Sequence, residues 1–264
     1  MATIVLKLNA SNASSDTWYD ESGNGYDITL TDTTQNLYPI PELTFNGTSS
    51  EGQSATVSTN FRSGGVTGVT LEAYFKFNDI SGVQGIFSYN GGGNYLNLQL
   101  RDGLVRWETA GSQQTFSNTP ANSTGWVYLV ATNDGTTSKI YLNGVLDAVS
   151  AKTCINSAST IFNVGYYEGY FNGQINTLNL YRGALTAAEI EANYLALQNQ
   201  PLGVNPQYEY TLGMLGNMSG GSVTTGGPSS GAYAPHPIYT NNDGTRELIQ
   251  LNAITLGGFN GLNN

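Results

Sequence analysis

The sequence predicts an all-β protein. Its expected form is a two-sheet antiparallel sandwich with one short helix over residues 1–198, followed by an extended Gly/Pro-rich arm over residues 199–264. Three observations favour this fold class. Apolar and polar residues alternate along many short segments, as they do in half-buried strands. Turn sequences separate these segments at short intervals, and a helical period occurs only near residue 190. The composition also changes sharply after Pro201.

The clearest strand prediction is residues 69–77, where every second side chain is apolar. Two hairpins follow from the same pattern. They join 95–100 to 104–108 through Arg101-Asp102-Gly103, and 126–132 to 138–142 through Asn133-Asp134-Gly135. Asn143-Gly144 is typical of a type I′ turn, because both positions tolerate a positive φ. Short strands at this spacing indicate a β-sandwich.

One helix interrupts the strands. Thr186 is followed three residues later by Glu189, which predicts a capping box at the helix start. The apolar residues that fall on one face at helical spacing are Ile190, Tyr194 and Leu197. Pro201 cannot continue a helix, so the helix is expected to end near residue 200.

The arm has its own composition. Residues 201–264 hold four charged side chains, five of the eight prolines and twelve glycines, too many glycines for a core of their own. Two short strands are predicted there, at 207–212 and 247–255. We expect the arm to bind other virion proteins or sister subunits by adding a strand to a sheet edge, and the alternative is that it folds back on its own sandwich. The apolar residues expected to mediate assembly are Tyr208, Tyr210, Tyr233, Tyr239, Leu248, Leu251 and Phe259.

Charge and cysteine content exclude several classes of protein. Charged residues make up 11% of the chain, and nine basic against nineteen acidic residues give a net charge of -10 with no basic cluster. Neither nucleic acid nor an anionic membrane is therefore an expected partner. The single cysteine, Cys154, excludes an intrachain disulfide. The opening residues do not read as a signal peptide.

Six motifs now stand in order along the chain. They are Trp18 to Gly25 (WYDESGNG), Leu43 to Gly47 (LTFNG), Val69 to Lys76 (VTLEAYFK), Gly125 to Ala131 (GWVYLVA), Lys139 to Gly144 (KIYLNG) and the closing segment from Phe171 to Tyr194. Their order and spacing resemble those of laminin-G-like modules of the concanavalin-A-like lectin/glucanase superfamily, over about residues 1–198. The resemblance implies a jelly-roll sandwich. It leaves function open, because that superfamily includes enzymes, lectins and adhesion modules.

No catalytic residue is predicted. The hydrolases that share this resemblance carry alternating carboxylates, Glu-x-Asp-x-Glu, on one strand, and such a run does not occur in this sequence. The only histidine, His236, lies between two prolines of the arm without companions for a triad or a zinc site. We therefore expect a protein that is not an enzyme.

Two kinds of ligand remain. Calcium is the candidate cation, because Asp20, Asn24 and Asp27 crowd one loop with oxygen ligands; alternatively, these side chains only bond the turn that they occupy. Glycans or a cell-surface receptor are the other candidate, because exposed tyrosines beside Asn and Gly can stack on a sugar; alternatively, these tyrosines cap strand ends. The residues predicted for this second site are Tyr89, Asn94, Tyr95, Tyr166, Tyr167 and Tyr170.

Three function classes compete. Low charge, no export signal and an Asn/Thr/Gly-rich surface favour a non-enzymatic virion structural protein, such as a capsid-decorating, head-fibre or tail-associated phage protein, located in the virion and homo-oligomeric. The alternative is an extracellular carbohydrate-binding or adhesion module. A hydrolase on the same fold is the third class, and the missing carboxylate pair argues against it.

Overall fold

The structure of the protein is a computed structural model. The residues it describes are 2–37, 40–54, 68–91, 94–109, 113–121, 125–154 and 161–198, with 224–225, 237–240 and 246–248 near the C-terminus. The chain divides into two compact units, Met1–Leu202 and Gly203–Asn264.

Strands dominate the described part of the first unit, as the alternating sequence predicts. They are β1 Thr3–Ala13, β2 Thr17–Asp20, β3 Ile28–Thr31, β4 Thr34–Asn36, β5 Glu42–Asn46, β6 Glu51–Ser54, β7 Val69–Phe77, β8 Val83–Gly91, β9 Asn94–Arg101, β10 Leu104–Glu108, β11 Gln114–Phe116, β12 Val127–Asn133, β13 Ser138–Leu142, β14 Val145–Ser150, β15 Phe162–Val164, β16 Tyr166–Tyr167, β17 Gly169–Tyr170 and β18 Asn172–Arg182.

The strands form a two-layer antiparallel sandwich, which confirms the predicted fold class. Hydrogen-bonded neighbours follow the order β11-β10-β9-β8-β15-β6-β3-β2-β1-β18-β7-β12-β13-β14, and β5 pairs with β18 and β4. We call the strands from β11 to β2 the first layer and those from β1 to β14 the second layer. Many neighbours are distant in sequence, so the layers are held by long-range pairing.

One hydrophobic core fills the space between the layers. Alternate residues of β1, β7 and β18 face it from the second layer, and alternate residues of β8, β9 and β10 from the first. Phe171 is fully buried in it, with ring centroids 5.8 Å from Phe45, 6.2 Å from Phe75 and 5.4 Å from Phe77. Such edge-to-face contacts are favourable beyond the area that they bury.

The predicted hairpin turns are confirmed. Arg101 pairs with Leu104 across a turn in which Asp102 has φ 50° and Gly103 φ 84°. Asn143 and Gly144 have φ 51° and 80°. Positive φ at both central residues is the type I′ geometry, whose twist matches that of the flanking strands.

Strand β7 differs from its prediction in one respect. Its alternation predicts a half-exposed polar face, yet Thr70 and Glu72 are buried. The reason is that the outer face of the second layer carries a second apolar cluster, in which Tyr128, Val130 and Ile190 take part. Burial on this face depends on the helix, which the strand sequence does not reveal.

The helix α1, Ala187–Gln198, supplies part of that cover. Its capping box is confirmed: the backbone N–H of Thr186 donates to Glu189 Oε2 at 2.8 Å, and that of Glu189 donates to Thr186 Oγ1 at 3.3 Å. Burial of Ile190 shows which face packs on the sheet. Among the described residues, no helix is long and apolar enough to cross a membrane.

The described part of the second unit is a three-stranded antiparallel sheet of β19 Thr224–Thr225, β20 Pro237–Thr240 and β21 Arg246–Leu248. Of the predicted assembly residues, Tyr239 lies in β20 and Leu248 in β21, where Tyr239 pairs with Glu247. Outside the described residues lie Tyr208, Tyr210, Tyr233, Leu251 and Phe259, the predicted strand 207–212 and most of 247–255.

Candidate functional site

A tyrosine hairpin stands on the first layer. Strands β16 and β17 pair with each other, and Glu168 between them has φ 60°, which allows the tight reversal. The rings of Tyr166 and Tyr170 lie 4.6 Å apart at an interplanar angle of 40°. Tyr166 is 40% exposed. The hairpin therefore carries a pair of aromatic rings at the surface, at positions that the sequence predicted.

Glycine 85 of β8 decides how closely the hairpin approaches the sheet. A Cβ atom on Gly85 would lie 2.1 Å from the backbone nitrogen of Tyr167, and one on Gly169 would lie 2.0 Å from the backbone oxygen of Val83. Any larger residue would collide with backbone at either point. Glycine is required here for close approach of two backbones.

Polar side chains of β9 and β10 hold the hairpin tip. Gln99 Nε2 donates to the backbone oxygen of Tyr167 at 3.1 Å and to Glu168 Oε2 at 3.4 Å. The same carboxylate oxygen is 3.4 Å from Arg101 Nη1 and 3.5 Å from Arg106 Nη1. Arg101 and Glu168 remain 43% and 44% exposed at the side chain, so this ion pair can meet a ligand beside the aromatic pair.

A buried ion pair supports the tip from below. Arg106 Nη2 lies 2.7 Å from Glu108 Oε2, with side chains 5% and 4% exposed, and Arg106 Nη1 donates to Gln99 Oε1 at 2.8 Å. Breaking such a pair is costly because it leaves one charge buried alone. The pair thus fixes Gln99, and Gln99 fixes Tyr167 and Glu168.

The sequence singled out the tyrosines and missed these polar partners. The signal was present: in residues 96–101, Leu alternates with Asn97, Gln99 and Arg101, which places the polar side chains on the outer face of β9. Gln99 and Glu168 are 69 positions apart in the sequence, so their contact depends on the tertiary fold.

The prediction for Tyr89 is wrong. Tyr89 is 0% exposed and its ring packs 5.2 Å from Phe162 in the core. Strand β8 extends to Gly91 and pairs Tyr89 with Leu96, so its side chain faces the core. The following Asn-Gly-Gly-Gly had indicated a loop. Asn94 and Tyr95 belong to β9, and their side chains lie outside the described residues.

The calcium prediction is not supported, and the alternative fits the geometry. Asp20 Oδ1 accepts from the backbone of Lys7 at 3.0 Å and of Ser22 at 2.9 Å, while Oδ2 accepts from Ser22 Oγ at 2.8 Å and the backbone of Tyr26 at 3.0 Å. A carboxylate has about four lone-pair positions, and all are used.

The other two predicted ligands are also engaged in the turn. Asn24 turns its amide nitrogen toward the backbone oxygen of Val5 at 2.8 Å, and Asp27 Oδ1 accepts from the backbone of Asp20 at 2.8 Å. No group of three or more His, Cys, Asp or Glu side chains with metal-binding geometry occurs among the described residues. Asp20, Asn24 and Asp27 are turn residues.

The acidic groups of this face are poorly placed for glycoside hydrolysis. Glu108 is 3% exposed, and its oxygens accept from Arg106 at 2.7 Å and from Gln114 at 3.3 Å. A general acid must reach the glycosidic oxygen. Glu168 is accessible, but its described contacts are with Arg101, Arg106 and Gln99 and include no second carboxylate.

The two-layer antiparallel sandwich with a polar outer face defines a lectin-like class of protein. A sequence profile of the concanavalin A-like lectin/glucanases superfamily matches residues 46–191. The chain belongs to this superfamily. The resemblance found in the motifs is thereby confirmed. A search of curated protein sequences finds no match.

Solved structures with the same fold include receptor-binding domains of botulinum neurotoxins. The binding domain of neurotoxin DC in complex with rat synaptotagmin II superposes with a TM-score of 0.61 at 11% identity, covering 74% of this chain and 52% of that one. The type G receptor-binding domain gives 0.58 at 16% identity, covering 74% and 51%. A type C structure described by its interaction with two ganglioside molecules gives 0.60 at 13% identity, covering 74% and 52%. This chain spans about half the length of these structures, and identities this low show the fold alone.

Proposed function

We propose that the sandwich is a non-catalytic recognition module that binds a cell-surface glycan at the tyrosine hairpin. The observation that carries the proposal is the aromatic pair of exposed Tyr166 and half-buried Tyr170, whose rings lie 4.6 Å apart on the hairpin that also carries Glu168, the partner of Arg101 in an exposed ion pair. An aromatic face covers the apolar face of a pyranose, and charged groups beside it bond the hydroxyls.

Two further facts support this function. The hairpin is held from below by Gln99 and the buried Arg106–Glu108 pair, so little side-chain freedom is lost when a ligand binds. Neurotoxin domains with the same fold are described with two ganglioside molecules or with synaptotagmin II as partners. Those partners belong to the neurotoxins, and here they favour surface recognition as the class of function.

Glycan arrays and cell-binding assays with single variants test the proposal. Tyr166→Ala and Tyr170→Ala should weaken glycan binding about tenfold or more, since each removes an aromatic contact. Tyr19→Ala is the matched control, because Tyr19 is 42% exposed on β2. Unchanged binding in both hairpin variants would overturn the glycan site. Binding that survives removal of cell-surface glycans would indicate a protein receptor, and release of reducing ends from a β-glucan would contradict the non-catalytic role.

A second proposal concerns the setting of the module. We propose that the protein is a virion structural component, such as a capsid-decorating, head-fibre or tail-associated protein, attached through residues 199–264. Low charge content, 11% of residues, favours close packing against neighbours. Tyr239 and Leu248 lie in strands of a separate small unit whose described strand order leaves β21 at an edge. A partner strand can add to such an edge.

Truncation after Gln200 tests the attachment arm. The truncated sandwich should keep its β-type circular dichroism and its melting temperature. It should no longer assemble with partner proteins, as measured by sedimentation or co-assembly. If the truncated protein still assembles and its melting temperature falls by several degrees, the arm covers its own sandwich and the attachment role is wrong.

A further inference from the structure

A cavity of about 270 Å³, lined by both polar and apolar groups, opens on the outer face of the second layer, on the opposite side of the sandwich from the tyrosine hairpin. Its floor consists of two neighbouring cross-strand rows. One row contains Asn9, Thr177, Tyr74 and Tyr128, and the next contains Lys7, Asn179 and Glu72. Ala196 and Leu197 of α1 form the wall. The cavity therefore exists only because α1 lies beside this face.

The floor of the cavity is rigid. Glu72, 4% exposed, accepts from the hydroxyls of Tyr128 at 2.5 Å and Tyr181 at 2.6 Å, and from the amides of Asn179 and Asn193 at 3.0 Å each. Tyr181 is half-buried and lines the cavity, and because its hydroxyl gives its proton to Glu72, its oxygen acts as an acceptor toward a ligand. A ligand here meets groups that are already oriented.

The charge of the lining restricts the ligand. Lys7 Nζ lies 3.1 Å from Glu21 Oε2, so this pair balances itself, with side chains 48% and 29% exposed. Glu72 then leaves the lining with an excess negative charge. Anionic ligands are disfavoured, because no unbalanced cation lines the described cavity.

The remaining groups suit a hydroxylated ring. Tyr74 packs its ring against Trp126 with centroids 4.9 Å apart, which holds it in place in the floor of the cavity. Thr177 and Asn9 add polar side chains to the lining beside this ring. Lys7 Nζ is a donor and Glu21 an acceptor at the solvent-exposed part of the lining. A neutral sugar offers both hydroxyl donors and acceptors around an apolar face, which matches this combination.

We propose that this cavity binds one neutral sugar residue, as a second site distinct from the tyrosine hairpin. Drug-sized ligands occupy pockets of roughly 300–1,000 Å³, so 270 Å³ suits a single ring. The inference goes beyond the proposed hairpin site, because it uses other residues on the other layer. It stands or falls independently of that site.

The test fills the cavity from the helix. Ala196→Phe projects a ring into it, and Ala192→Phe places the same side chain one turn earlier on α1, at an exposed residue that does not line the cavity. Both variants start from exposed helix positions, so both should fold. Binding of neutral methyl pyranosides, measured by saturation-transfer NMR and calorimetry, should persist in the wild type, Ala192→Phe and Tyr166→Ala, and weaken about tenfold or more in Ala196→Phe.

Three results would overturn the proposal. They are the absence of binding by any neutral pyranoside, binding that is unchanged in Ala196→Phe, and binding of only a small ammonium compound or of sialic acid. If Tyr166→Ala loses all pyranoside binding while Ala196→Phe keeps it, the sugar binds at the hairpin and the cavity proposal is rejected. If only Ala196→Phe loses pyranoside binding, the cavity proposal is supported, whether or not the hairpin also binds a glycan.

Discussion

The hydroxyl of Tyr128 donates a 2.5 Å hydrogen bond to Glu72 Oε1, although Glu72 lies on the sheet face turned away from the core. The other donors to this carboxylate come from β18 and α1. One buried charge therefore ties β7, β12, β18 and the helix together. Its four donors are two tyrosine hydroxyls and two amides, so removing the carboxylate would take away an acceptor that all four share.

Glu72→Ala should lower the free energy of unfolding by about 2–4 kcal/mol, because buried donors are left unsatisfied and the contact to α1 through Asn193 is lost. Urea unfolding followed by circular dichroism measures the change. Glu191→Ala, at an exposed position of α1, is the matched control and should change stability little. Equal effects at both positions would show that the Glu72 cluster does not hold the helix.

Stability should fall at alkaline pH. Burial, and then the neighbouring Glu72, raise the pKa of the Tyr128 and Tyr181 hydroxyls above their ordinary value of 10.0. Above pH 10.0 the folded protein keeps these protons while the unfolded chain releases them. The contribution of the two hydroxyls to the free energy of unfolding is therefore present below pH 10.0 and is lost as the pH rises beyond it.

The measurement is the unfolding midpoint across this pH range, with tyrosinate absorbance followed in the folded protein. Tyr181→Phe should make the midpoint less sensitive to alkaline pH, and Tyr19→Phe should leave the dependence unchanged. If all tyrosines ionise in the folded protein near their ordinary pKa, the two hydroxyls are not held by Glu72 as described.

Calcium should have no effect on the melting temperature, whether it is added or removed with a chelator. The reason is that Asp20 already accepts four hydrogen bonds within its turn. Asp20→Ala should cost about 1–2 kcal/mol, and Asp27→Ala should cost less because Asp27 Oδ1 accepts one backbone bond from Asp20. A chelator-induced drop in melting temperature that Asp20→Ala abolishes would restore the calcium site.

Gly85→Ala should displace the tyrosine hairpin. The new Cβ would lie 2.1 Å from the backbone nitrogen of Tyr167, and backbone cannot give way as a flexible side chain can. We expect a loss of about 1–3 kcal/mol in unfolding free energy, together with weaker glycan binding. Gly125→Ala is the control, because nothing lies within 4 Å of its added Cβ. If Gly85→Ala binds glycan as well as the wild type does, the position of the hairpin does not matter for glycan binding.

Local patterns were sufficient to predict the elements of the sandwich. The alternation of 69–77, the Asp102-Gly103 and Asn143-Gly144 turns and the Thr186–Glu189 capping box depend on neighbours in sequence, and each is present in the structure. The motif order also indicated the superfamily that the profile match shows. The sequence also predicted exposed tyrosines in the segment 165–170, and Tyr166 is exposed.

What the sequence by itself determined, then, was the fold class, the turns, the helix and the presence of an exposed tyrosine in the segment 165–170. Only the tertiary structure decided that Tyr89 is buried and which polar groups contact the tyrosine hairpin. Tyr89 is buried because β8 shifts register between Gly85 and Phe87 and pairs Tyr89 with Leu96. Gln99 meets Glu168, and Glu72 meets Tyr128, across separations of 69 and 56 residues. Such contacts depend on strand order and register, which are set by pairing between distant segments and leave no periodic trace in either one.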